Sequence, residues 1–268
     1  MLSIIPLAAL GLGLGSLINY LADVLPRQRR LSHPACFHCG ERLPLSYYLV
    51  WPQRCKACGK PNPRRFRSLI IDFTAAFTAV WLWSTSPEDL GYLLGLLLAA
   101  YFLLIVVVDV EHRLILVPTV IAGVILGGAA GIRLHGLQAT ILGGFIGYLI
   151  MFLLYKFGEV FARFVARRRG EPLDEVALGY GDVNLAGVLG LILGWPVIVI
   201  GLILAILLGG LAGLIYLAVK LGMKRYKSFE AMPYAPYLIA STAMIVYFPE
   251  PVRNLFRGFA TLFGQGFL

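Results

Sequence analysis

Long apolar runs, broken at intervals by charge and turn residues, constrain this chain more than anything else in it. "AAYFLLIVVVDVEHRLILVP" (99–118) and "VIVIGLILAILLGGLAGLIYLAV" (197–219) are two of them. A helix needs roughly 20 mostly apolar residues to cross the hydrocarbon of a bilayer, and several runs reach that length. The whole sequence is 59% hydrophobic and 14% charged. Soluble domains lie nearer 45–50% and about 25%, so the expected class is an integral membrane protein. The 30 glycines, scattered through the runs, suit closely packed membrane helices.

Apolar runs between charged or turn-rich breaks predict an all-α polytopic fold of about eight transmembrane helices, near 2–24, 68–84, 90–110, 114–132, 137–163, 182–194, 196–219 and 232–248. The division between the sixth and seventh rests on Gly194-Trp195-Pro196. The expected organisation is a first transmembrane helix (1–25), a polar insert (26–67), a transmembrane core (68–249) and a short interfacial C-terminal tail (250–268). The first run has no basic segment ahead of it; Arg27, Arg29 and Arg30 follow it, which reads as a retained helix rather than a cleaved signal peptide. No strong internal repeat or low-complexity tract is visible.

The insert between the first two helices carries ten Lys/Arg and one acid, Glu41. Counted over all connections, nineteen basic residues fall on the insert's side and three on the other, with Lys156 inside a helix. Because basic loops stay in the cytosol, the insert is expected to be cytosolic and both termini outside. The net charge of +9 is then mostly a topology signal, which argues against a nucleic-acid partner.

This orientation brings two acids to one membrane depth. Asp109 ends the third run and Asp182, in "ALGYGDVNLAGVLG", begins the sixth, 73 residues later and on the same side. Acids near the membrane are costly and usually face a bundle interior or water. Two carboxylates sharing a site cannot both ionise cheaply, so they hold one proton between them, the state aspartic proteolysis uses. Gly179 and Gly181 would let the backbone pass close to an extended substrate. Singly, each Asp could equally mark a helix end, and Asp182 would then interact favourably with its helix dipole. Asp23, Asp72 and Glu159 are read as structural: Asp23 solvated near the boundary, Asp72 one turn beyond Arg67 and Ser68, Glu159 paired with Lys156 or Arg163. His112 follows Asp109 closely and is a candidate neighbour of the reaction site.

All four cysteines lie in the insert as two Cys-x-x-Cys-Gly turns, Cys36/Cys39 and Cys55/Cys58, fifteen residues apart. Two such turns complete a tetrahedral zinc site, and an insert of this size builds little core without a metal. A structural zinc is expected; with four thiolate ligands it would be closed and not catalytic. His33 and His38 then have no necessary ligand role.

Together these residues resemble the prepilin peptidase (type IV leader peptidase) family. "GSLINYLADVLP" is similar to the end of that family's first helix, followed in place by the four-cysteine insert. "DVEHRLILVP" resembles its first aspartate motif, with Pro118 nine residues after the Asp. "GYGDVNL" resembles its Gly-x-Gly-Asp motif, and "MPYAPYLIAS" its last-helix segment. The resemblance implies an intramembrane aspartic endopeptidase of the bacterial inner membrane, with Asp109 and Asp182 as the catalytic pair facing the cytosol. It implies removal of the short basic leader from a type IV prepilin or pseudopilin. N-methylation of the new N-terminus with S-adenosylmethionine is a second implied activity, and a homodimer is a candidate assembly. The chain departs from the family's usual residues at Asn184 (Lys), Val24 (Arg) and Thr119 (Asn), and "RRFRSLIIDFTAA" matches its second-helix entrance only loosely. Two alternatives of other classes are an ion-coupled transporter using the paired aspartates and a catalytically inactive assembly factor.

Overall fold

The computed structural model describes residues 4–49, 54–85, 90–169, 179–222 and 233–251. Most of the C-terminal tail 250–268, and the basic residues Lys224, Arg225, Lys227, Arg253 and Arg257, lie outside them. Among the described residues there is no β-strand, only two isolated bridges. The chain divides into two compact units, Met1–Pro118 and Thr119–Leu268.

The first unit contains α1 (Ile4–Gln28), a short 3-10 turn (Leu45–Tyr48), α2 (Arg65–Thr85) and α3 (Tyr92–His112). All three helices are long and apolar enough to cross a membrane. Ile18, Ala22, Leu25, Ile71, Leu104, Val108 and Leu116 form a common core. The outward face of α2 is apolar too: Phe66, Ile70, Phe73 and Phe77 are each 65–70% exposed. A helix that is apolar outside as well as inside suits lipid rather than water. The sequence expects α2 to begin near 68, but it begins at Arg65. Its first turn is rich in arginine, so the hydropathy falls while the hydrogen bonding continues, as in Ser68 N–H donating to the Arg64 carbonyl at 3.0 Å. α1 likewise runs past its expected end, to Gln28, with Pro26 inside it.

The second unit is built from α4 (Val117–Arg169, which starts at the unit boundary), α5 (Tyr180–Leu193), α6 (Val197–Gly222) and α7 (Ala235–Tyr247). α4 is 53 residues long, but Gly136 within it has φ 81 and ψ 170 and interrupts the helical path. That break falls between the two apolar runs 114–132 and 137–163. α4 and α6 are span-length; α5 and α7 are shorter apolar helices of 14 and 13 residues. Gly194 (φ 69) separates α5 from α6 at the Gly-Trp-Pro break. α4 and α5 meet through glycine: a Cβ on Gly143 would lie 2.4 Å from the Gly190 carbonyl oxygen, and one on Gly190 2.2 Å from that of Gly143. Only bare backbone fits there, which is how membrane helices gain van der Waals contact without a hydrophobic driving force. Glu159, expected to pair with Lys156 or Arg163, pairs with both, at 3.0 Å in the case of Lys156.

Candidate active site and metal centre

Each cysteine turn is closed by its own backbone. Cys36 N–H donates to the Glu41 carbonyl (2.8 Å) and Gly40 N–H to that of Cys36 (3.1 Å). Cys55 and Gly59 repeat the pattern with Lys60 (3.0 Å) and Cys55 (2.9 Å). The turn needs a residue in the left-handed region just after its second cysteine; Gly40 (φ 75) and Gly59 (φ 70) supply it, with open space where a Cβ would be. The requirement is therefore conformational and not one of room.

The four Sγ atoms all lie within 4.8 Å of one another. Cys36 to Cys58 is 3.8 Å and Cys39 to Cys55 is 3.7 Å. A tetrahedral ion with bonds of about 2.3 Å has ligand–ligand edges of about 3.8 Å, so this donor set fits a metal ion of that kind. Burial works against ionising the Cys36 thiol, yet the backbone N–H groups of His38 and Cys39 outweigh it and bring its pKa down to about 7. Cys39 goes the other way. The N–H of Glu41 favours its thiolate, but desolvation and the sulfurs of Cys36, Cys55 and Cys58 push it up to about 12. Crowded sulfurs cannot all carry charge unaided, and a cation removes that conflict. His38 is exposed and reaches the cluster only through its backbone N–H, 3.4 Å from Cys36 Sγ, in keeping with a four-cysteine set.

The insert is anchored to α1. Tyr20 donates to the Ser32 carbonyl (2.8 Å) and Ser16 to that of Tyr48 (3.2 Å). Two guanidiniums approach the Phe37 ring, with Arg27 Cζ 3.9 Å and Arg64 Cζ 5.1 Å from its centroid.

Asp109 sits in the last turn of α3 and is 5% exposed. Its carbonyl accepts the N–H of Arg113 (2.7 Å), which ends the helix in the left-handed conformation at φ 51. His112 follows one turn later, with Nε2 3.8 Å from Glu111 Oε2. In the second unit, Gly179 precedes α5 and Asp182 occupies its first turn. Gly179 N–H donates back to Asp182 Oδ2 at 3.3 Å, so the carboxylate caps its own helix at the end that favours negative charge. The helix-end role of Asp182 is thus realised in the geometry. Gly181, Asp182 and Asn184 are all partly exposed. Tyr180 and Tyr148 share a hydroxyl–hydroxyl bond of 2.8 Å beside this turn, and the Tyr155 ring meets Tyr180 edge-on.

Asp23 differs from expectation. It is buried at 4% exposure rather than solvated, and accepts from Tyr48 Oη (2.9 Å), Arg64 Nη1 (3.1 Å) and Arg67 Nη2 (2.9 Å). Both arginines also reach Glu111 Oε2 at 2.9 Å, closing a ring of two cations and two anions. Asn19 extends it, donating to the Ser68 carbonyl (3.2 Å) and to Asp72 Oδ1 (3.0 Å). The sequence offers no clear signal for this cluster, because its members are scattered over α1, the insert, α2 and α3.

Residues 96–214, a stretch containing both Asp109 and Asp182, match the model described as the type IV leader peptidase family. Among curated proteins the chain is similar to a prepilin leader peptidase/N-methyltransferase of Burkholderia pseudomallei (strain 1026b), at 28% identity over 251 residues, 88% of this chain and 74% of that protein. The protein of the same name from Aeromonas hydrophila is 25% identical over 226 residues, 81% and 71% of the two chains. That of Klebsiella pneumoniae is 28% identical over 214 residues, 73% and 87%. No solved structure gives a significant match.

Proposed function

We infer, from the premise that this chain belongs to the type IV leader peptidase family, that it is an intramembrane aspartic endopeptidase acting on type IV prepilins or pseudopilins. The observation that carries this reading is that the family match at 96–214 encloses both Asp109 and Asp182. In the proposed reaction the two carboxylates share one proton. The ionised one accepts a proton from water as its oxygen attacks the scissile carbonyl carbon. The protonated one donates to the carbonyl oxygen. Collapse of the tetrahedral intermediate breaks the C–N bond and returns a proton to the departing amine, leaving a new acid on the leader and a new N-terminus on the pilin. Gly179 is exposed and Gly181 partly exposed, and both adjoin the Asp182 turn, which supports an extended substrate passing there.

The relatives' names carry a second activity, N-methylation, and we extend it to the freshly exposed N-terminus, with S-adenosylmethionine as methyl donor. The transporter and inactive-factor alternatives gain no support from the matched family. We assign the cysteine cluster to one structural zinc, held by Cys36, Cys39, Cys55 and Cys58; its closed thiolate sphere gives the insert rigidity. The five span-length helices among the described residues suit a multi-pass protein of the bacterial inner membrane. The excess of basic residues in the insert supports placing the active site towards the cytosol and both termini outside.

Mass spectrometry of a prepilin co-expressed with the enzyme tests this reading. The expected product lacks the leader and is heavier by one methyl group at its N-terminus. A prepilin that keeps its leader in the presence of folded, membrane-inserted enzyme contradicts it.

A further inference from the structure

The ring formed by Asp23, Arg64, Arg67 and Glu111 has no part in the chemistry above, yet it ends two residues from Asp109. Two guanidiniums at the N-terminal end of α2 are unfavourable against that helix's dipole, so they demand anions. Asp23 of α1 and Glu111 of α3 meet the demand, each bridged by both arginines at 2.9–3.1 Å. The ring therefore ties the end of α3 to the first turn of α2 and to a buried acid on α1.

The geometry of α3 shows what the tie controls. Successive residues of a helix turn by about 100°, so Leu104, Val108 and Glu111 form one stripe and Ile105, Asp109 and His112 the next. Leu104 and Val108 pack into the shared core, and Glu111 continues their stripe into the charge ring. Asp109 lies one step round. The helix stops at Arg113, and a last turn frays unless something holds it. Both guanidiniums hold the same Glu111 oxygen, Oε2, from positions a helical turn apart, which restrains the rotation of that turn about the axis.

We infer that Glu111, clamped by Arg64 and Arg67, is a positioning residue that sets the direction of the Asp109 carboxylate. The Phe37 ring beneath Arg64 extends the same clamp to the cysteine insert. This rests on Asp109 being one half of the peptidase pair.

The test measures prepilin cleavage by the full chain in nanodiscs, comparing Glu111→Gln, Arg67→Lys, the double variant and Asp109→Asn. Small misplacements of a catalytic group cost up to about 100-fold, so Glu111→Gln should lower kcat by about 10- to 100-fold with KM within about threefold. Arg67→Lys keeps the charge but not the two-pronged grip, and should lower kcat in the same way; it decides the matter if Glu111→Gln does not fold. The double variant should lose less than the product of the single losses, because both act through one clamp. Full kcat in Glu111→Gln or Arg67→Lys, or a rise in KM alone, overturns the inference while an inactive Asp109→Asn leaves the peptidase reading standing. Cleavage by Asp109→Asn overturns that reading and the inference with it.

Discussion

Asp23 shows at the scale of single residues what spacing along a chain does and does not reveal. An acid one residue from an apolar boundary reads as solvated, because its neighbours in sequence give it no partner. Its partners are far away in the chain: Tyr48 is 25 residues on and Arg64 is 41. Glu159, by contrast, pairs with residues three and four places away, and that pairing is legible in the sequence because helical periodicity alone brings the groups together. The buried hydroxyl of Tyr48 has a measurable role. Tyr48→Phe leaves Asp23 with one donor fewer and should cost about 1–3 kcal/mol of stability, seen as a lower unfolding temperature of the purified protein. An unchanged transition would mean that the two guanidiniums suffice.

At the scale of elements, the helices follow from the apolar runs because a bilayer leaves the backbone no other partner than itself. The breaks at Gly136 and Gly194 are legible for a related reason: glycine accepts the positive φ that each break requires. The helix ends are less legible. α2 starts within an arginine-rich turn whose composition resembles a loop, and only its charge partners on α1 and α3 explain why it is ordered there. The glycine contact between α4 and α5 can be tested against an internal control. Gly190→Ala must push apart two backbones, and overpacking of that kind typically costs about 1–3 kcal/mol. Gly128→Ala on α4 has open space and should be neutral or slightly stabilising. Equal behaviour of the two variants in thermal unfolding would remove the role given to that contact.

For the molecule as a whole, the cysteine cluster is the most legible feature, since two Cys-x-x-Cys turns are short patterns whose local spacing brings the four thiols together. The clamp around Glu111 is not legible, since it joins single residues from several elements. The insert should carry about one zinc per chain by elemental analysis of folded protein, and Cys36→Ser with Cys55→Ser should remove it. A folded preparation without metal would refute the zinc assignment. Asp109 and Asp182 belong to different compact units, and their partnership is a proposal drawn from topology and family. The most direct measurement is prepilin cleavage by purified Asp109→Asn and Asp182→Asn in nanodiscs, each first shown to unfold at the wild-type temperature. The proposed mechanism predicts no detectable cleavage by either; appreciable cleavage by one of them would contradict the shared-proton pair.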